Sequence, residues 1–258
     1  MDDEVLACGG LVASLPDPGR VHVVYATDGM KSPAPVFPSK ARVPSDLGAL
    51  RCRESVEAMA GLGVPAGNLR FLGLPEARLR RSLPQLSDAV LAVINELQPD
   101  HVLVPFRFDR HPDHLAVNRV ITHALLEGRL PGALAEYFVY HRWRLLPGRD
   151  LRAYVRSDRM VEVDMTPVAA RKRAALECFR SQVTRYYPWQ TRPILTPELL
   201  DDECLRPERF LRYDPALPGA RVLTRARGWI RVAHRLEPAL QRTKHVLRTA
   251  GQRLVARR

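Results

Sequence analysis

A chain of 258 residues, 46% hydrophobic and 26% charged, holds enough apolar material for one substantial core, so one large domain, or one with a tail, is expected. Its longest apolar runs, such as Val21–Ala26 and Ala89–Ile94, fall far short of the roughly 20 residues a membrane-spanning helix needs, which excludes an integral membrane protein. Lysine and arginine total 40 against 28 acids, but the excess sits at one end: 221–258 carries eleven basic residues against Glu237 alone, a net of +10, leaving +2 for 1–220.

In chain order, Val21–Ala26 is short and β-branched and runs into Thr27-Asp28-Gly29, which predicts a buried strand ending in a turn. Residues 31–44 contain Pro33, Pro35, Pro38 and Pro44 and predict a loop. Ser45 or Asp46 can cap a helix to about Leu62, with Gly63 as its stop. A strand near Leu69–Leu72, a helix near Leu83–Leu97, a strand at His101–Pro105 and a helix from Pro112 to about Leu126 follow. This alternation predicts an α/β fold, Rossmann-like and three-layered with a mostly parallel sheet, whose sites form at the carboxyl ends of strands. Beyond Glu136 come longer β-like segments, Tyr137–Trp143 and Arg159–Val163, and a helix near Val168–Arg180; 184–220 is rich in Pro and Arg and predicts no element.

The basic end is patterned too. Val222, Leu223, Ala226, Trp229, Ile230 and Ala233 recur at steps of one, three and four, giving a helix with an apolar face and arginines opposite. Such a helix either docks on the body or meets an anionic membrane surface, where each basic residue contributes about 1 kcal/mol. Nucleic acid is the weakest partner class, because no aromatic stacking platform accompanies the charge. Four cysteines (Cys8, Cys52, Cys178, Cys204) show no metal or redox spacing and no leader segment is visible, so a reducing, cytoplasmic setting is expected, with a peripheral place at the inner membrane face as a variant.

Two clusters carry chemistry. Asp2-Asp3-Glu4 opens an apolar helix, where acids are favoured by roughly 0.3–1 kcal/mol each for structural reasons alone. Asp109-Arg110-His111-Pro112-Asp113-His114 follows the strand His101–Pro105, so it lies at a strand's carboxyl end and a helix start. Imidazoles and carboxylates so close together suit a divalent ion of the zinc kind.

Asp2-Asp3-Glu4 with Val5-Leu6-Ala7-Cys8-Gly9-Gly10 resembles the deacetylase signature HPDDE and its Gly-ended helix, and Asp109–His114 resembles its partner motif. The family is the LmbE-like, or PIG-L-like, zinc-dependent N-acetylglucosaminyl deacetylases. Further similarities are Thr27-Asp28-Gly29, the set Arg51, Glu54, Ala58, Leu62 and Gly63, the segment Phe71–Pro75, and Lys172 with Ala175, Leu176, Ser181 and Gln182. They fall in the family's order over 1–185, so the resemblance implies a deacetylase domain there, followed by an extension at 186–220 and the basic helix or tail at 221–258.

The resemblance implies roles for these residues. Asp3 and His114 would ligate zinc or another divalent ion, and Asp2 would be the general base. His111 would stabilise the oxyanion or protonate the leaving amine, oriented by Asp113. Arg51, with Asp28 and Asp109, would contact an N-acetylated sugar or glycoconjugate; Arg51 could equally pair with Glu54. The family's first ligand is a histidine two positions before Asp2, ahead of Met1, and its first strand lies further upstream still. Losing an interior strand would leave its neighbours unpaired, at a cost comparable with a total stability of roughly 5–15 kcal/mol. The expectation is therefore a start upstream of Met1, against a degenerate member that binds zinc poorly through Asp3 and His114 alone. The alternatives in function are a deacylase of another N-acyl compound and a catalytically impaired protein that associates with membrane surfaces.

Overall fold

The computed structural model describes residues 1–31, 46–139, 150–188, 190, 192–216, 219–236, 239–240 and 243. The prolines of 31–44 from Pro33 onward, the end of the segment Tyr137–Trp143 and the tail after 243 lie outside these described residues. The elements are α1 (Asp3–Ser14), β1 (Val23–Thr27), α2 (Leu47–Gly61), β2 (Leu69–Leu74), α3 (Leu83–Leu97), β3 (His101–Pro105), α4 (Pro112–Leu126), β4 (Ala133–Tyr137), β5 (Met160–Val163), α5 (Ala169–Glu177), α6 (Arg180–Val183), α7 (Pro197–Leu205) and β6 (Glu208–Arg212). A further helical stretch covers 227–236. The chain divides into two compact units, Met1–Glu76 with Asp164–Pro207 and Ala239–Arg258, and Ala77–Val163 with Glu208–Pro238.

In the first unit β1 pairs in parallel with β2, Val23 lying opposite Leu69. Helix α1 is buried almost all round, through Val5, Leu6, Ala7, Cys8, Val12 and Ala13, so it behaves as a core helix rather than an amphipathic one. It packs on α5. The approach is close: a Cβ on Gly9 would stand 3.4 Å from Lys172 Cγ, and the fully buried Lys172 donates from Nζ to the Leu6 carbonyl at 2.7 Å. Helix α2 stops as the sequence predicts. Gly63 adopts φ 88°, and the amides of Gly63 and Val64 return to the carbonyls of Ala60 and Met59 at 2.9 Å each, closing the helix end.

In the second unit the strand order is β3-β4-β6-β5. β3 and β4 are parallel, as a strand–helix–strand unit requires, whereas β6 runs antiparallel to both β4 and β5. The α/β class holds and this sheet is mixed. The antiparallel component comes from β6, inside the stretch for which the sequence predicts no element; its Phe210 and Leu211 are buried between flanking arginines.

The start of the basic segment belongs to this unit's core. Val222, Leu223, Ile230 and Ala233 pack with Phe106, Phe108, Phe138, Leu151, Val155 and Leu211. Leu223 forms an antiparallel bridge with Val155. Trp229, grouped by its spacing with Ile230, is instead 64% exposed, because consecutive helical residues point about 100° apart and Ile230 and Ala233 take the inward direction.

Candidate active site

The candidate residues fall into two clusters, one in each unit. In the first, Asp2 lies just ahead of α1 at φ 101°, a left-handed conformation that costs a residue with a side chain about 1–3 kcal/mol. Its carbonyl accepts from Val5 and Leu6 at 3.0 and 2.9 Å, and its N–H donates to Glu4 Oε2 at 2.9 Å. The Gln182 side-chain amide donates to the Asp2 carboxylate and, at 3.0 Å, to the Met1 carbonyl. Burial, and then the negative charge of Asp3, push Asp2 up to about 8. Asp3, partly buried, occupies the first turn of α1.

Arg51, on α2, belongs to the same unit. Its guanidinium is buried, and neither Nε nor Nη2 has a hydrogen-bond partner among the described residues. The pairing with Glu54 does not form, because Glu54 accepts from the Ser181 amide at 2.7 Å and the Ser181 hydroxyl at 2.6 Å. Gly29 lets the turn after β1 pass over this side chain, since a Cβ there would stand 3.1 Å from Arg51 Cδ. Asp28 shapes that turn, its Oδ1 accepting from the amides of Met30 and Glu76 at 3.2 Å each.

In the second cluster, β3 delivers the chain into a loop held by its own carboxylates. Asp109 is 2% exposed; its Oδ1 accepts the His111 amide at 2.7 Å and lies 3.0 Å from His114 Nδ1. That placement sets Asp109 behind His114. His111 caps α4, with its Nδ1 accepting the Asp113 amide at 3.3 Å, and the two imidazole centroids are 4.9 Å apart. A consequence follows for the protons. Neutral His111 must carry its hydrogen on Nε2, because its Nδ1 accepts the Asp113 amide, whereas His114 turns its Nδ1 toward the Asp109 carboxylate. The Asp113 carboxylate is engaged elsewhere, accepting the amides of Ala77 and Leu79 at 2.5 and 3.1 Å, with His111 Nδ1 4.0 Å away.

Sequence reasoning misses two residues that shape these clusters, Glu136 and His234, and names Gln182 only as a family similarity, without a role. Gln182 holds Asp2. Glu136, fully buried on β4, accepts from the Arg107 amide and guanidinium and from Asn118 Nδ2, fixing the segment that leads from β3 to Asp109. The legible signal was a lone carboxylate in an apolar strand. His234, in the basic segment, packs edge-on against Phe108 at 5.3 Å between ring centroids.

Burial lowers the pKa of His234 below its ordinary 6.5, opposed by the charge of Asp109. The unfolded chain therefore binds a proton that the folded one refuses, so stability is full above about 6.5 and falls as pH drops below it. Thermal melts of the chain and of His234→Phe over that range should show the acid-side loss diminished in the variant; parallel curves would contradict this.

Among the described residues no group of three or more His, Cys, Asp or Glu side chains is arranged to hold a metal ion. The donor set is therefore not a complete three-ligand site, although His114 with Asp109 behind it has the arrangement usual for a ligating histidine.

Residues 1–125 match the family described as PIG-L, GlcNAc-PI de-N-acetylase. No curated protein matches the chain. Among solved structures, a deacetylase of the teicoplanin biosynthesis pathway, in complex with bog, is similar at 17% identity and a TM-score of 0.61, over 83% of this chain and 96% of that one. A zinc-inhibited form of a teicoplanin deacetylase is similar at 16% identity and a TM-score of 0.61, with the same coverage, 83% and 96%. The N,N'-diacetylchitobiose deacetylase of Pyrococcus horikoshii is similar at 21% identity and a TM-score of 0.57, over 81% of this chain and 79% of that one. At these identities the structural likeness speaks to the fold. The match over 1–125, taken with the paired motifs at Asp2–Glu4 and Asp109–His114, makes the first 125 residues of this chain similar to the PIG-L/LmbE-like deacetylase family.

Proposed function

We propose that this chain is a deacetylase that hydrolyses the N-acetyl group of an N-acetylglucosamine-type sugar or glycoconjugate. The observation that carries the reading is the pair of neighbouring histidines at the start of α4, His111 with its Nδ1 accepting the Asp113 amide and His114 with its Nδ1 3.0 Å from the Asp109 carboxylate. Amide hydrolysis needs a proton taken from water as it attacks the carbonyl carbon and a proton given to nitrogen as the C–N bond breaks. Asp2 takes the first. A carboxylate pushed up to about 8 is a stronger base than an ordinary one. The carboxylic acid so formed is the donor to nitrogen, while neutral His111, whose Nε2–H is too weak an acid to surrender, hydrogen-bonds the developing oxyanion; acetate and an amine leave and no redox partner is required.

Arg51 anchors hydroxyls or an anionic group of the substrate with its unpartnered nitrogens. Asp3 and His114 are the ligands this chain offers to zinc, or to another divalent ion, whose chemistry in such a family is polarisation of the acyl oxygen. As the described residues include no group of three such donors, no step is assigned to the ion. Asp109→Asn should weaken zinc binding about 10- to 100-fold in a calorimetric titration, because it releases the His114 ring; unaltered affinity would remove Asp109 from this role.

The structural neighbours, one a deacetylase in complex with teicoplanin and one a diacetylchitobiose deacetylase, leave an N-acylated antibiotic as the second reading of the acceptor. The basic 221–258 segment adds a peripheral place at an anionic membrane. The test is acetate release from N-acetylglucosamine and diacetylchitobiose, with and without added zinc, by the chain and by His111→Ala. Release that depends on His111 supports the deacetylase. Release indifferent to His111, or none from any N-acetyl sugar offered, sinks it.

A further inference from the structure

The helical stretch 227–236 has two apolar directions, and the fold uses one. Ile230 and Ala233, both 0% exposed, face the core of the second unit. Trp229, Val232 and Leu236 recur at steps of three and four and stay 64%, 46% and 48% exposed, and the same step reaches Leu240, also exposed. Arg231 and Arg235, each one position before an apolar member of this stripe, are exposed as well, as are Arg225 and Arg227. Around the helix the order is docked face, bare apolar stripe, arginine row.

We infer that this stripe seats the second unit on an anionic phospholipid surface, with the helix lying in the plane of the interface. Charge complementarity selects the occupant. An apolar strip bordered by cations, with a tryptophan at its edge, matches the boundary between acyl chains and acidic headgroups, into which arginine can extend its stem while keeping its charge in water. From residue 221 to 258 the sole acid is Glu237, so nothing in the segment opposes a negative surface. A nucleic acid would use the arginines and leave the apolar stripe wet. No helix of the described residues is long and apolar enough to cross a membrane, so the contact is one of surface attachment. The surface rests on the peripheral placement proposed above and is independent of the hydrolytic chemistry.

The full chain is mixed with vesicles of phosphatidylcholine alone, or of equal parts phosphatidylcholine and phosphatidylglycerol, and vesicle-bound protein is recovered by flotation. Binding is expected on the mixed vesicles and not on the neutral ones. Neutralising one arginine at the surface lowers partitioning about fivefold, so Arg231→Gln with Arg235→Gln lowers it roughly thirtyfold. Trp229→Ser with Leu236→Ser removes about tenfold for each side chain. Being exposed, these positions should leave the melting temperature unchanged. Partitioning indifferent to both pairs, equal binding to neutral vesicles, or a dimer that the serine pair dissolves without any vesicle binding would each overturn the surface. Acetate release from soluble N-acetylglucosamine, measured in parallel, separates the two readings: its absence counts against the deacetylase, and loss of vesicle binding counts against the surface.

Discussion

Glu136→Ala is expected to lower stability by about 3–5 kcal/mol, a large share of the roughly 5–15 kcal/mol that a domain has. Glu136 is fully buried on β4 and accepts from the Arg107 amide at 2.9 Å, from Arg107 Nη2 at 2.6 Å and from Asn118 Nδ2 at 2.8 Å. Arg107, its side chain only 9% exposed, also lies over the Tyr213 ring at 4.5 Å. Alanine takes the facing carboxylate away from that buried cation, and the lost charge compensation, rather than the lost contact, dominates the penalty. The pair Arg107→Met with Glu136→Leu should therefore recover most of the loss, although it restores no ion pair. Denaturant titrations of the parent and the two variants decide this. A Glu136→Ala protein within 1 kcal/mol of the parent, on the order of an exposed pair, would mean that the charge is not held as described.

Asp2→Asn is expected to reduce acetate release by about 10²- to 10⁴-fold, the range associated with loss of a positioned base. The substitution preserves shape, and asparagine can still accept from Gln182 through its Oδ1. It also removes the cost of burying an ionisable carboxyl beside Asp3, so the melting temperature should hold or rise as activity disappears. That opposition identifies a catalytic group and separates it from a structural one. Parallel loss of activity and stability would make Asp2 part of the scaffold. Full activity would end the general-base assignment.

Much of this was legible in the sequence, for reasons that differ by element. Helices α3 and α4 and strand β3 lie where capping residues, Pro112 and β-branched runs put them, because local preference and tertiary packing agree there. The motif 109–114 was legible as chemistry because paired histidines and aspartates at a strand end have few structural uses. β6 was not legible: its five residues, Glu208-Arg209-Phe210-Leu211-Arg212, show no alternation of polar and apolar, and only antiparallel pairing with β4 and β5 makes them a strand. Lys172 escaped notice as a core residue because a lysine on a helix usually reaches solvent, whereas here its ammonium meets the Leu6 carbonyl. Trp229 was misplaced since steps of three and four mark a stripe without saying which of two adjacent stripes turns inward.

Asp113 uses both of its carboxylate oxygens. They hold the amides of Ala77 and Leu79, and Ala77 sits at φ 60°, a conformation its methyl group disfavours. The aspartate is thus a latch on a sprung turn as well as a neighbour of His111. Knocking it out would mimic an active-site lesion while acting through misfolding, and Ala77→Gly, which slackens the spring, is the background in which the two effects come apart.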